Sequence, residues 1–161
     1  MELMIQRLRQ IKTALKPNKI WRIVFKRPAV QIYIIKVLLQ DNQLQRHVTG
    51  LGTPITDKYT GSQTYSIFTE AITNGRKKAG TPYNLYDTGE FYESMKMLVG
   101  ADYFEIIADP IKEDDNLYAK FGEEIVWLNE DSISKLTIYL VNHYRSAVRE
   151  VLQINWRITL I

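Results

Sequence analysis

Residue types that commonly do chemistry are sparse in this sequence. Its 161 residues include two histidines and no cysteine, which excludes thiol catalysis, disulfides and thiolate metal sites. Neither His47 nor His143 has a second metal ligand four residues away, and no nucleophile-elbow sequence occurs. Four acids crowd one short segment: Asp109, Glu113, Asp114 and Asp115. Because they lack the ligand spacing of a calcium loop, we expect a solvated turn, and a chain with no catalytic residue and no metal site.

Signatures of nucleotide or nucleic-acid binding are weak. The glycines at 50, 52 and 61 match neither GxGxxG nor a P-loop. Arg76, Lys77 and Lys78 are consecutive and suit contact with phosphates, although cations at a helix end also interact favourably with the helix dipole. The 10 tyrosines, 5 phenylalanines and 3 tryptophans are scattered along the chain, which disfavours specific base stacking and is more typical of protein interfaces.

Charge is divided unevenly along the chain. Residues 1–60 hold 11 lysines and arginines against three acids, a balance of +8, whereas residues 61–161 hold 10 against 15, a balance of −5. This division suits a basic face for a polyanion, and it equally suits complementary patches on neighbouring copies. Two simply solvated faces are a third interpretation, and the sequence leaves all three open.

The elements that position these residues are first predicted as helices. Apolar residues three and four apart, interleaved with basic ones, predict a basic amphipathic helix over residues 2–15. A second helix is expected from Pro28 to about Gln45, with strand as the alternative because VQIYIIKV is rich in β-branched residues. Its outer face should carry Lys36 and Gln40. Its apolar side should comprise Ile32, Ile35, Leu38 and Leu39.

The second half of the chain predicts both helices and strands. Residues 63–75 look helical, MKMLVGA and YFEIIAD predict a hairpin, and DPIKEDDN is expected to be a polar loop or a helix start. Asn129 is a suitable N-cap for a final helix from about Glu130 to Leu152. Its expected buried face is Ile133, Leu136, Leu140, Tyr144, Val148 and Val151.

Together these elements predict an α+β fold. We expect a small antiparallel sheet with a hairpin packed against helices, a long C-terminal helix and an N-terminal amphipathic helix. A basic extension over residues 1–27 should precede a single domain over residues 28–161. No apolar run approaches the roughly 18 residues of a membrane-spanning helix, and the N-terminus lacks the apolar core of a signal peptide.

The most informative stretch is YNLYDTGEFYESMKML, residues 83–98. Asp87 or Thr88 is expected to N-cap a short helix, and Gly89 supplies a residue free to adopt positive φ. Phe91 should then lead from this helix into the core of the hairpin. The predicted role is structural, since such a corner fixes the direction of the following sheet.

This stretch resembles the tail-completion, or head–tail joining, proteins of long-tailed bacteriophages. The residues that match the family pattern L-x-D/x-T-G-x-L/F-x-x-S are Leu85, Asp87, Thr88, Gly89, Phe91 and Ser94. A hairpin, a YA…G element and a C-terminal helix then follow in the family's order, with Tyr118 and Gly122 in that element. The resemblance covers about residues 40–150. The basic N-terminal extension and the phenylalanine at 91, where leucine is more usual, depart from the pattern.

An upstream stretch adds to the resemblance. It looks like a QL…G…G…I…Y sequence common in versions from phages of gut Bacteroidetes, including crAss-like phages. The residues concerned are Gln43, Leu44, Gly50, Gly52, Ile55 and Tyr59.

The resemblance implies a non-enzymatic virion protein of the neck or tail, assembled in the host cytoplasm. Copies would form a ring that joins the head to the tail and seals the DNA conduit. Expected partners are further copies of the chain, the portal, neck and tail proteins, and DNA in the lumen, with no cofactor and no membrane. One interface is expected around residues 94–108 and Thr88. The residues expected to face a partner protein or DNA are Arg7, Arg9, Lys12, Arg76, Lys77 and Lys78.

Two other functions remain as alternatives. A small basic DNA-binding accessory protein would account for the charge division, and its affinity for DNA would fall linearly with the logarithm of salt concentration. A hydrolase with a carboxylate site would need convergent residues, and the sequence nominates none.

Overall fold

The computed structural model describes residues 15–112 and 115–157, together with positions 5, 6, 9, 12 and 13, and it leaves the side chains of 154–157 undescribed. The predicted α+β fold is confirmed. The helices are α1 (Pro17–Phe25), α2 (Pro28–Ile32), α3 (Ile67–Ile72), α4 (Glu90–Ser94), α5 (Leu117–Phe121) and α6 (Glu130–Arg157), with a π-helix (Tyr33–Asp41) continuing α2 and 3-10 turns at Leu44–Arg46 and Glu123–Val126. The N-terminal helix predicted over residues 2–15 lies largely outside the described residues.

The predicted hairpin is confirmed. Strands β1 (Lys96–Val99) and β2 (Phe104–Ile107) pair antiparallel, with Lys96 opposite Ile107. Within the described residues no third strand joins them, so each strand keeps an unpaired outer edge. A second, shorter pair, β3 (Ile111–Lys112) and β4 (Asp115–Asn116), forms where the sequence predicted a loop or helix start.

Two apolar clusters form the core. The first surrounds α4 and α5 and includes Leu85, Phe91 and Phe121. The second joins α1, the π-helix and α6 through Ile20, Leu38 and other buried residues. Helix α1 therefore contributes buried side chains to this second cluster, although it lies within the segment predicted as an extension. Pro17 suits the start of α1, since proline in the first turn loses no helical hydrogen bond.

The predicted second helix ends earlier and presents a different face. It is helical from Pro28 to Asp41, so the strand alternative is wrong. Gln40 is buried and Ile32 is exposed, the reverse of the prediction, whereas Lys36 is exposed as expected. Gln40 lies in the π-helix, in which hydrogen bonds span five residues and side chains rotate out of the α-helical pattern. Gln40 is satisfied there because its Nε2 donates to the Tyr92 carbonyl at 2.8 Å. Ile32 is the last residue of α2, whose buried residue is Val30.

Helix α6 begins where the sequence predicted. The Asn129 Oδ1 accepts a hydrogen bond from the Ser132 amide at 2.9 Å, which confirms the N-cap. Leu136 and Leu140 are buried, but Ile133 is half exposed, so its predicted burial is wrong. Ile133 borders an open groove beside β2 rather than a covering element.

Candidate functional site

The corner predicted from residues 83–98 forms around α4, but not through the predicted cap. Gly89 precedes the helix with a φ of +97°, and no side chain caps the helix, so the prediction that Asp87 or Thr88 would do so is wrong. Thr88 is exposed, and the Asp87 carboxylate is drawn towards two cations instead. The predicted positive φ of Gly89 is confirmed. Leu85 is buried with a φ of +59°, a conformation that bulky residues adopt only where packing imposes it.

Asp87 is the electrostatic centre of the corner. Its side chain is 8% exposed, and its Oδ1 accepts from the Arg76 Nε at 2.9 Å. Its Oδ2 accepts from the Lys112 ammonium. Burial raises the pKa of the Asp87 carboxyl, but the hydrogen bonds from Lys112 and Arg76 outweigh it and leave this pKa below its ordinary value. Asp87 therefore ties the segment after α3 to β3.

Three further motif residues hold the corner, and two of them bond to the segment that follows β2. Phe91 is buried in the first cluster. The Ser94 hydroxyl donates to the Phe91 carbonyl at 2.7 Å and accepts from the Asp109 amide at 2.9 Å. The Tyr118 hydroxyl donates to the Ala108 carbonyl at 3.2 Å. Residues separated in sequence thus fix one set of elements: α4, α5 and the segment that follows β2.

The YA…G element ends α5. Gly122 follows this helix with a φ of +93°, in the region that favours glycine, and its amide donates to the Tyr118 carbonyl at 2.9 Å.

A cleft of about 610 Å³ opens beside Asp87, between α3 and α5. Its lining includes four cations and three acids: Arg76, Lys77, Lys112, Lys120, Asp57, Asp87 and Asp115. The Lys120 ammonium pairs with Asp115 at 2.7 Å. The Lys77 ammonium lies 4.8 Å from the centre of the Tyr65 ring. Burial, followed by repulsion from Lys112, lowers the pKa of Lys77 to about 8.

The predicted basic residues lie in different environments. Arg7 falls outside the described residues, and Arg9 and Lys12 are exposed. Arg76 pairs with Asp87, Lys77 is half-buried in the cleft, and Lys78 is exposed. The three consecutive cations therefore do not share one face, and their contact with DNA or a partner stays a prediction.

The two histidines make structural contacts. The His47 Nδ1 lies 3.1 Å from the Tyr83 carbonyl, and the His143 ring packs 4.7 Å from the Tyr139 ring. Over residues 15–112 and 115–157, no three side chains of the His, Asp and Glu types come together in a way that would hold a metal ion.

Two positions important for the fold were not singled out as site residues. Gln43 is fully buried, and it links two chain segments: its Nε2 donates to the Trp127 carbonyl and its Oε1 accepts from the Asn129 amide at 3.0 Å. Gly50 approaches Trp127 so closely that an added Cβ would lie 2.4 Å from the Trp127 Cβ. Gln43 and Gly50 both belong to the upstream QL…G sequence, which is the feature of the sequence that could have singled them out.

The surface of α3 was also missed. None of its six residues is buried, and Ile67, Phe68 and Ile72 are 81%, 73% and 61% exposed. The sequence predicted a helix there but gave no means to tell its apolar side from a buried one.

Comparisons with known proteins do not extend the resemblance. No protein-family model matches the chain, and neither a curated protein nor a solved structure matches it. None of the described helices combines the length and apolar character needed to cross a membrane.

Proposed function

We propose that this chain is a non-enzymatic virion structural protein of a tailed phage, forming a ring in the neck or tail that joins the head to the tail and seals the DNA conduit. The observation that carries the proposal is the convergence of the motif residues. Asp87, Phe91 and Ser94 belong to one stretch of the family pattern and Tyr118 to a later one, and Ser94 and Tyr118 bond to the adjacent residues Asp109 and Ala108.

The chemistry of the corner supports a positioning role. The Asp87 carboxylate is held by two cations, and the hydroxyls of Ser94 and Tyr118 donate to backbone carbonyls. Polar groups engaged in this way rigidify a structure, which suits a subunit that must present fixed surfaces to its neighbours.

The distribution of charge supports a ring. A ring interface is heterologous, so each subunit needs two different patches that complement one another. The opposed balances of residues 1–60 and 61–161 provide such a difference, and charge complementarity would set the orientation of neighbouring copies.

The oligomeric state of the full chain tests this proposal. Light scattering over a concentration series at low and high salt should give one closed oligomer of defined mass, which weakens at high salt because screening reduces the attraction between charged patches. Negative-stain electron microscopy of the same samples should show rings.

A different result would contradict the ring. A chain that stays monomeric over the whole series and binds duplex DNA, with affinity falling linearly in the logarithm of salt concentration, would favour the DNA-binding alternative.

A further inference from the structure

The cleft beside Asp87 has more cations than acids among its described lining residues. These charged residues are Arg76, Lys77, Lys112 and Lys120, against Asp57, Asp87 and Asp115. Arg76 and Lys112 share the single carboxylate of Asp87. Lys120 pairs with Asp115 at 2.7 Å. Three of the four cations in the cleft are therefore paired with an acid, and the fourth is not.

Lys77 is this fourth cation, and it is half-buried. Its ammonium lies 4.8 Å from the centre of the Tyr65 ring, and no acid in the described part of the chain forms an ion pair with it. Three of the four charges that act on it most strongly are positive: Lys112, Lys120 and Arg76, against Asp87. Burial of a charge without a counterion is unfavourable, and its cost is seen in the pKa of Lys77, which burial lowers to about 8. An anion bound beside the ammonium would offset this cost.

Part of the cleft wall is apolar and open to solvent. Phe68 and Ile72 of α3 line the cleft and are 73% and 61% exposed. Tyr83 and Phe121 line it from the first apolar cluster. The volume of about 610 Å³ is typical of small-ligand sites, which combine apolar walls with a few polar groups. The cleft therefore has room for a ligand with an anionic group beside Lys77 and an apolar body against α3.

The cation that is left free favours a carboxylate over a phosphate. Arginine binds phosphate through two parallel hydrogen bonds, but the Arg76 guanidinium is already held by Asp87. A lysine ammonium is a compact single charge, which a carboxylate balances. We propose that the cleft binds a small organic carboxylate, whose anionic group pairs with Lys77 and whose apolar body packs against Phe68 and Ile72. This site goes beyond the proposed function and does not depend on it.

Titration of benzoate with the full chain tests the site. Benzoate carries a carboxylate on an apolar ring, and the broadening of its own NMR signals reports binding whether the chain is a monomer or a ring. Benzyl alcohol is the neutral control of similar shape. At pH 7 benzoate should bind at least about ten times more tightly than benzyl alcohol, because only benzoate forms a charged hydrogen bond with Lys77.

Two pairs of variants locate the site. Lys77→Met should weaken benzoate binding at least about tenfold, whereas Lys78→Met, which removes an exposed neighbouring cation outside the cleft lining, should change it less than about twofold. Phe68→Ala should weaken binding about threefold or more, whereas Ile67→Ala, on the same helix but outside the lining, should leave it unchanged. Circular dichroism checks that each variant keeps the helix content of the wild type.

The pH dependence of binding checks the same group in the wild-type chain. The affinity for benzoate should fall at least about fivefold from pH 7 to pH 9.5, because Lys77 loses its proton over this range while benzoate keeps its charge. This fall should be absent from Lys77→Met. The other charged groups that act on Lys77 are present in both proteins, so the comparison cancels their titration: Lys112, Lys120, Arg76 and Asp87.

Three results would overturn the site. Equal binding of benzoate and benzyl alcohol would show that no cation of the cleft recognises the carboxylate. Equal losses in Lys77→Met and Lys78→Met would show that the anion is attracted by surface charge in general. Tighter binding of phenyl phosphate than of benzoate would overturn the assignment to a carboxylate. None of these results bears on the proposed ring, which light scattering decides separately.

Discussion

Helices α3 and α4 are short helices that each carry a phenylalanine, yet they are stabilised in opposite ways. Phe91 of α4 is buried in the first cluster, whereas Phe68 of α3 is 73% exposed. Helix α4 has no side-chain cap, and α3 is capped by Ser66. The comparison shows that tertiary burial holds the motif corner, whereas local hydrogen bonds hold α3 and leave its apolar residues exposed.

The largest expected effect is the difference in stability loss when each of the two phenylalanines is replaced by alanine. Phe91→Ala should lower the free energy of unfolding by about 3–5 kcal/mol, because it removes a buried aromatic ring and leaves a cavity. Phe68→Ala should change it by less than about 0.5 kcal/mol, since the ring is already in solvent in the subunit. Urea unfolding followed by circular dichroism measures both.

If Phe68→Ala lowers the free energy of unfolding as much as Phe91→Ala does, α3 is packed within its own subunit and the contrast between the two helices does not hold.

A smaller loss of stability is expected when the charge of Asp87 is removed. Asp87→Asn should lower the free energy of unfolding at pH 7 by about 1–3 kcal/mol, because Arg76 and Lys112 lose their charged hydrogen-bond acceptor. The pKa of Asp87 is lower in the folded chain than in the unfolded chain, where it is near 3.9. Its contribution is therefore present above about pH 4 and is lost as the pH falls through the folded-state value.

Urea unfolding at pH 7 and at pH 3 checks this second prediction. The difference in the free energy of unfolding between wild type and Asp87→Asn should be smaller at pH 3 than at pH 7. The matched control is Asp131→Asn, which removes an exposed partner of Lys135 at the start of α6 and should cost less than about 1 kcal/mol. An Asp87→Asn effect no larger than this control would mean that the corner does not depend on its ion pairs.

The smallest effect concerns Lys77, in the cleft beneath α3. Its pKa is about 8 in the folded chain, against about 10.4 for an unfolded lysine. Between these values the unfolded chain binds more protons, so the contribution of Lys77 to stability rises with pH. The free energy of unfolding of wild type relative to Lys77→Met, measured by urea unfolding, should therefore increase from pH 7 to pH 9.5.

Local patterns predicted the elements whose determinants lie close together in sequence. The β1–β2 hairpin and the Asn129 N-cap were both predicted correctly, because strand alternation and capping act over a few residues. The failures involve partners far along the chain. Asp87 was expected to cap α4, but Arg76 and Lys112 compete for its carboxylate from segments 11 and 25 residues away.

The long helices show the same limit. An apolar spacing indicates which residues share one side of a helix, but not whether another element covers that side. Ile133 follows the apolar pattern of α6 and remains half exposed at the open groove beside β2. Gln40 is buried because the backbone continues as a π-helix and the Tyr92 carbonyl accepts its hydrogen bond.

Neighbouring residues were enough to predict the α+β class, the hairpin and the start of α6, and they contain the motif on which the proposed function rests. The packing of distant segments sets which apolar surfaces are covered, how Asp87 is paired, and that α3 and the groove beside β2 both remain exposed. The difference lies in how far apart in the sequence the interacting residues are. Capping and strand alternation are local interactions encoded by neighbouring residues, whereas burial and ion pairing depend on which distant segments meet.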